Sequence, residues 1–220
     1  VRYPGKLRNS IIIASAMKLS AQNIAFNEMA RRAIKADPDF RLGNYVDYDT
    51  KPIQGLALAR MIGHVTYLSD QSMGKRFGRE LRNNHILGDQ LSPPEFQVES
   101  YLRYQGEKFA KHFDANSYIL LTKILDYFDF SGNSNNNPVA TFKSATCNFL
   151  VVSFTSDWRF PIKRSREIVA ALIAAGKNVA YAEIDSDQGH DAFLLPNKRY
   201  EGIFRGYLAL VANRIDWRSP

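Results

Sequence analysis

Cysteine is almost absent from this 220-residue chain: Cys147 stands alone. One thiol cannot close an internal disulfide, so the chain must fold on its core, and a reducing cytoplasm suits it. Cys147 leads through Asn148 into the apolar stretch from Phe149, which reads as a small core or strand-edge residue rather than a nucleophile. Long apolar runs are missing too. Nothing approaches the roughly 18 residues of a membrane-spanning helix, so no membrane partner is expected. The opening Val1-Arg2-Tyr3-Pro4 lacks the pattern of a secretory signal and lacks an initiating Met, so the chain reads as starting inside a longer protein. His64, His85, His112 and His190 show neither HxxxH nor HxH spacing, which predicts no metal site. There is no arginine-rich arm and no zinc-finger or RNA-binding signature. The net charge of +7 is scattered, and its tightest group, Lys163-Arg164-Ser165-Arg166, is followed by Glu167. Nucleic acid is therefore not the expected partner; an anionic small substrate makes better use of a few cations. No internal repeat is visible.

What is present has ordinary globular composition, with 45% apolar and 23% charged residues. Residues 8–15 hold a β-branched run, the pattern of a strand buried on both faces of a parallel sheet. From Ser20 to Phe128 the pattern turns helical. Ile24, Met29, Ala30 and Ile34 suggest an amphipathic helix stopped by Asp37-Pro38. Further helices are expected over 56–68, 95–113 and 117–128, the last with Asp114 or Asn116 as cap. Residues 131–138, Ser-Gly-Asn-Ser-Asn-Asn-Asn-Pro, read as a polar linker without regular structure. After them come a strand (148–154), a helix (161–175) with Gly176 as its stop, a strand (178–184) and a helical end (192–195, then 200–215). Strand-helix-strand-helix implies a parallel α/β sheet with right-handed crossovers. A helical block between strands of one sheet implies a lid.

Two loops follow the later strands, Ser156 to Pro161 and Asp185 to Asp191. Both belong at the carboxyl edge of the sheet, where open α/β sheets bind ligands. Asp157 in one and His190 in the next stand in the order that closes the triad of an α/β-hydrolase, Ser…Asp…His. The imidazole would take the nucleophile's proton, and the carboxylate would fix its tautomer. Gly189 lets the loop turn before the histidine. By itself, Asp157 would more often serve as a helix cap ahead of Pro161; its placement with His190 on consecutive parallel strands is what raises the catalytic reading. The serine elbow G-x-S-x-G occurs nowhere in the chain. Either the fold is another one, or the elbow lies upstream of Val1.

Several long motifs decide between these. Leu19-Ser20-Ala21-Gln22-Asn23-Ile24-Ala25-Phe26-Asn27-Glu28, the stretch Gly55 to His64, Phe96-Gln97-Val98-Glu99-Ser100-Tyr101-Leu102, Phe113-Asp114-Ala115-Asn116-Ser117-Tyr118, Ser153-Phe154-Thr155-Ser156-Asp157-Trp158 and Asp187-Gln188-Gly189-His190-Asp191-Ala192-Phe193 together resemble the homoserine O-acyltransferases of methionine biosynthesis. The resemblance covers nearly the whole chain. It implies the C-terminal part of an α/β-hydrolase fold, parallel strands with flanking helices, carrying an inserted, mainly helical lid domain. The corresponding division is 1–19 for one strand of the α/β-hydrolase domain, 20–138 for the lid and 139–220 for the rest of that domain.

By the same resemblance, Asp157 and His190 are the acid and base of the triad. Arg60 matches the lid arginine that grips the substrate carboxylate, and Asp191 the residue that binds the substrate amino group; each could otherwise be a structural ion pair or loop cap. Trp158 and Arg159 stand where the acyl donor is selected, and a positive Arg159 leans the expectation toward succinyl-CoA over acetyl-CoA. If Arg159 merely faces solvent at a helix start, that lean disappears. The implied reaction is ping-pong acyl transfer from acyl-CoA to L-homoserine, with no metal or other cofactor. Homodimerisation through the lid helices is implied as well. Lacking the serine, residues 1–220 alone are expected to be inactive. The competing readings are another α/β-hydrolase-fold esterase or serine O-acyltransferase, and a non-catalytic interaction module.

Overall fold

A computed structural model describes residues 1, 3–82 and 96–214. His85, and Glu95 and Ile215 at the ends of two expected helices, lie outside the described residues. The chain divides into two compact units, residues 18–128 and residues 1–17 with 129–220. In chain order the first unit is inserted into the second.

The inserted unit holds helices α1 (Ala21–Ala36), α2 (Ile53–Tyr67), α3 (Asp70–Phe77), α4 (Gln97–His112) and α5 (Ala115–Tyr127). Side-chain caps start three of them. Ser20 Oγ accepts from Asn23 N (3.2 Å), Ser69 Oγ from Ser72 N (2.9 Å) and Asp114 Oδ1 from Ser117 N (2.7 Å). α2 runs between α1 and α4 at backbone contact. A Cβ on Gly55 would lie 2.6 Å from Ala33 O, and one on Gly106 2.7 Å from Ala57 O. Glycine at these two crossings is what lets the helices close on Ile34, Leu56, Ala59 and Ala110, all fully buried. Burial of Leu56 contributes on the order of 2 kcal/mol.

The face of α1 differs from the expectation. Ile24 and Met29 are exposed, and the buried positions are Asn23, Asn27, Ala30, Arg31 and Ile34. The reason is polar: Arg31 Nη1 donates to Asp126 Oδ2 on α5 (2.5 Å), and Asn27 Nδ2 donates to Asp126 Oδ1 (2.7 Å). A paired, hydrogen-bonded charge can be buried where periodicity alone asks for an aliphatic side chain.

The second unit is a three-stranded parallel sheet of order β1 (Asn9–Ile13), β2 (Asn148–Phe154), β3 (Val179–Ile184). The structure has the expected α/β class. β2 is central and reads as a continuous apolar run because it is buried on both faces. Phe149 and Val151 face one cluster with Phe142, Ile168 and Leu172; Leu150, Val152 and Phe154 face another with Ile184 and Ala192. Cys147 packs at the edge of the first cluster. β1 is shorter than the expected 8–15, because Ala14 turns to φ 45° while still donating to Val152 O (2.9 Å). Helices α6 (Pro138–Lys143), α7 (Ile162–Ala174) and α8 (Lys198–Arg214) complete the unit. Residues 131–138 are more ordered than a linker: a 3-10 turn spans Gly132–Ser134, and Asn137 Oδ1 caps α6 through Ala140 N (3.2 Å), with Pro138 at its first position. Among the described residues, no helix is long and apolar enough to cross a membrane.

Candidate active site

The loops after β2 and β3 leave the sheet level with each other, because Phe154 pairs with Ile184 in the ladder. Side chains then tie one loop to the other. Thr155 Oγ1 accepts from Ser186 N (3.0 Å) and donates to Asp185 Oδ1 (3.0 Å). Ser156 Oγ accepts from Gly189 N (2.8 Å), and Gly189 sits at φ +73°, a conformation that favours glycine. His190 follows in a 3-10 turn, Gly189–Leu194.

This stitching brings Asp157 and His190 together. His190 Nδ1 lies 2.8 Å from Asp157 Oδ2. The aspartate is buried, at 2% exposure, and Phe160 N donates to its other oxygen, Oδ1, at 2.8 Å. A carboxylate oxygen only accepts, so Nδ1 carries the hydrogen and Nε2 presents its lone pair. The ring is flanked by two aromatics: Phe160, with centroids 5.1 Å apart, and Phe193, at 5.5 Å edge-on. An imidazole whose tautomer and orientation are set by a buried carboxylate is equipped for general-base work through Nε2.

The remaining candidates fall in different places. Asp191 is half-buried next to His190, and Trp158 and Arg159 are half-buried next to Asp157. The Arg159 guanidinium carbon lies 6.0 Å from the Phe160 ring centre. Arg60 is in the other unit, on α2. Its guanidinium carbon lies 4.9 Å from the Phe109 ring centre and 5.6 Å from that of Tyr67, and it has no carboxylate partner among the described residues. One turn further on, His64 is buried, and burial together with the charges of Arg60 and Arg76 lowers its pKa to about 4. No group of three or more potential metal ligands occurs among the described residues.

The sequence reading missed Phe160, Phe193, Thr155 and Ser156. Phe160 carried a signal, standing three residues after an aspartate whose carboxylate could cap its N–H. The two hydroxyl ties depend on loop-to-loop proximity, which no local pattern encodes.

No family model matches the chain. It is 59% identical over 211 residues to a homoserine O-succinyltransferase of Cellvibrio japonicus, covering 96% of this chain and 56% of that protein. To the homoserine O-succinyltransferase of Dechloromonas aromatica it is 57% identical over 209 residues, covering 94% of this chain and 55% of that one. The chain thus spans little more than half the length of the relatives it matches. Among solved structures, homoserine O-acetyltransferase from Bacillus anthracis superposes with a TM-score of 0.77 at 20% identity, covering 86% of this chain and 50% of that one. Esterase E22 superposes at 0.73 and 21%, covering 86% and 51%. These structural likenesses establish the α/β-hydrolase fold; a transferase and an esterase share it.

Proposed function

The chain is a homologue of the homoserine O-succinyltransferases over nearly its whole length and has the α/β-hydrolase fold, and from that premise we propose that the whole protein transfers the succinyl group of succinyl-CoA to the hydroxyl of L-homoserine. The observation that carries the reading is the 2.8 Å pair of His190 and buried Asp157 at the carboxyl ends of adjacent parallel strands.

In this reading a serine from sequence outside these 220 residues attacks the thioester, and Nε2 of His190 takes its proton. The proton passes to the departing CoA thiol. The homoserine hydroxyl then gives its proton to the same nitrogen and attacks the acyl-serine, which releases the ester and restores the serine. Asp157 holds the ring and stabilises the imidazolium in both halves. Arg60 takes the substrate carboxylate through its planar fork, Asp191 the amino group, and Arg159 beside Trp158 the free carboxylate of the succinyl group. The chemistry asks for no metal; acyl-CoA is the co-substrate. The methionine-biosynthetic role, a cytoplasmic location and self-association through the helical unit belong to the same proposal. Leu120, Leu121 and Ile124, exposed along α5, support the last, and light scattering of the whole protein checks it.

The test incubates the whole protein with L-homoserine and either succinyl-CoA or acetyl-CoA. O-succinylhomoserine should form at least about tenfold faster than the acetyl ester, the scale of one charge-assisted contact. Thioester hydrolysis without transfer to homoserine would sink the proposal, and faster acetyl transfer would sink its donor.

A further inference from the structure

Two buried nitrogens on one face of α2 have no hydrogen-bond partner among the described residues: Nε of Arg60 and Nε2 of His64. They stand one helical turn apart, and both side chains meet the Tyr67 ring. His64 lies 5.9 Å from it edge-on, and the Arg60 guanidinium carbon 5.6 Å from its centre. His64 is only 7% exposed. A buried N–H without an acceptor costs on the order of 1–3 kcal/mol, so two on one face call for an acceptor that arrives from outside the fold.

The surroundings define that acceptor. The hydroxyl of Tyr101, on α4, lies 3.4 Å from His64 Nδ1. A phenol is a stronger donor than a neutral imidazole, which assigns the lone pair to Nδ1 and the hydrogen to Nε2. Arg76 adds a second positive charge, 4.6 Å from the Tyr101 ring centre, and neither it nor Arg60 has a carboxylate partner among the described residues. These same charges and burial keep the imidazole neutral near pH 7, so it is a neutral donor set among cations. An anion with oxygen acceptors fits; a cation or an apolar group does not.

We infer that His64 is a second binding residue for the substrate carboxylate, donating from Nε2 to the anion that Arg60 holds. The inference rests on the proposed function for what that carboxylate is, and it adds a direction. A guanidinium alone fixes one plane, whereas a second donor from the same helix selects how the carboxylate sits in it.

The test uses the whole protein and three forms of position 64. His64→Phe keeps a flat ring and removes the donor; His64→Gln returns an N–H at similar reach. His64→Phe should raise KM for L-homoserine about tenfold with kcat within about twofold, and His64→Gln should recover most of the loss. With L-homoserinamide, which lacks the carboxylate, wild type and His64→Phe should have the same KM. An unchanged KM for homoserine in His64→Phe, or equal shifts for homoserine and its amide, would overturn the inference. Calorimetric titration with L-homoserine reads binding without turnover. Binding that weakens about tenfold in His64→Phe, in a protein with no transferase activity, would remove the proposed activity and leave the inference standing. Transfer that does not depend on position 64 would do the reverse, and a wild type that neither binds nor acylates homoserine would overturn both.

Discussion

Replacing Asp157 by asparagine should abolish activity while leaving the fold in place, and the structure says why. Asp157 Oδ1 accepts from Phe160 N and Oδ2 faces His190 Nδ1, each at 2.8 Å. An asparagine has one oxygen for these two positions. Turning its NH2 toward Phe160 N would strand a buried donor at about 1–3 kcal/mol, so the oxygen stays on Phe160 and the NH2 faces the imidazole. Nδ1 must then accept, the hydrogen moves to Nε2, and the nitrogen that should take the nucleophile's proton no longer has a lone pair to receive it. Both hydrogen bonds survive, so stability should change by no more than about 1 kcal/mol. The rate should fall about four orders of magnitude, near 5.5 kcal/mol of barrier, the scale reported for the same change in a serine-protease triad. Three measurements on the whole protein separate these effects: acyl transfer, urea unfolding, and the 15N shifts of His190. Activity within about tenfold of wild type, or an imidazole still protonated at Nδ1, would refute the tautomer argument.

Two further outcomes follow from the helical unit. Gly106→Ala places a methyl 2.7 Å from Ala57 O, so α2 and α4 must part; the better helix propensity of alanine, about 1 kcal/mol, offsets only some of an overpacking cost of about 1–3 kcal/mol. Urea midpoints should fall, and an unchanged or higher midpoint would contradict the close crossing. His64 has a folded pKa of about 4 against an ordinary 6.5, so the unfolded chain binds its proton first as pH drops. Stability should therefore be fully present above pH 6.5 and decline toward pH 4, by at most about 3 kcal/mol, and His64→Phe should flatten that part of the pH–stability curve. Parallel curves for the two proteins would show that His64 is not buried neutral.

The sheet was legible because its signals are local. Ile11 to Ile13, Leu150 to Phe154 and Val179 to Ile184 are runs with few other uses, and Gly176, at φ +70°, closes α7 as its position in the sequence implies. The Asp157–His190 contact was legible for a topological reason: consecutive parallel strands end at one edge, so their loops meet. α3 went unread although Ser69 and Asp70 announce its start, because eight residues are too few to show a period. α6 was hidden inside a polar stretch whose Asn137-Pro138 is a cap followed by a first-turn proline. The buried side of α1 could not be read because Arg31 and Asn27 are charged or polar, and their burial depends on Asp126, 95 and 99 residues away, which Glu28 supplements as a local partner of Arg31. The place of Phe193 beside His190 had no local signal, since an aromatic after a polar loop has many possible neighbours.

The ladder between β2 and β3 has a consequence for how this protein tolerates change in length. The geometry of the acid and base is anchored at Phe154 and Ile184, which are opposite each other, while everything between them along the chain makes an excursion through α7 and back. Within that excursion Ile168 and Leu172 of α7 are held in the core, so added length is best absorbed in the turn after α7, around exposed Gly176, where it leaves the acid and base undisturbed provided both strands still pair. A single residue inserted between Phe154 and Asp157, or between Ile184 and His190, has no such slack to absorb it.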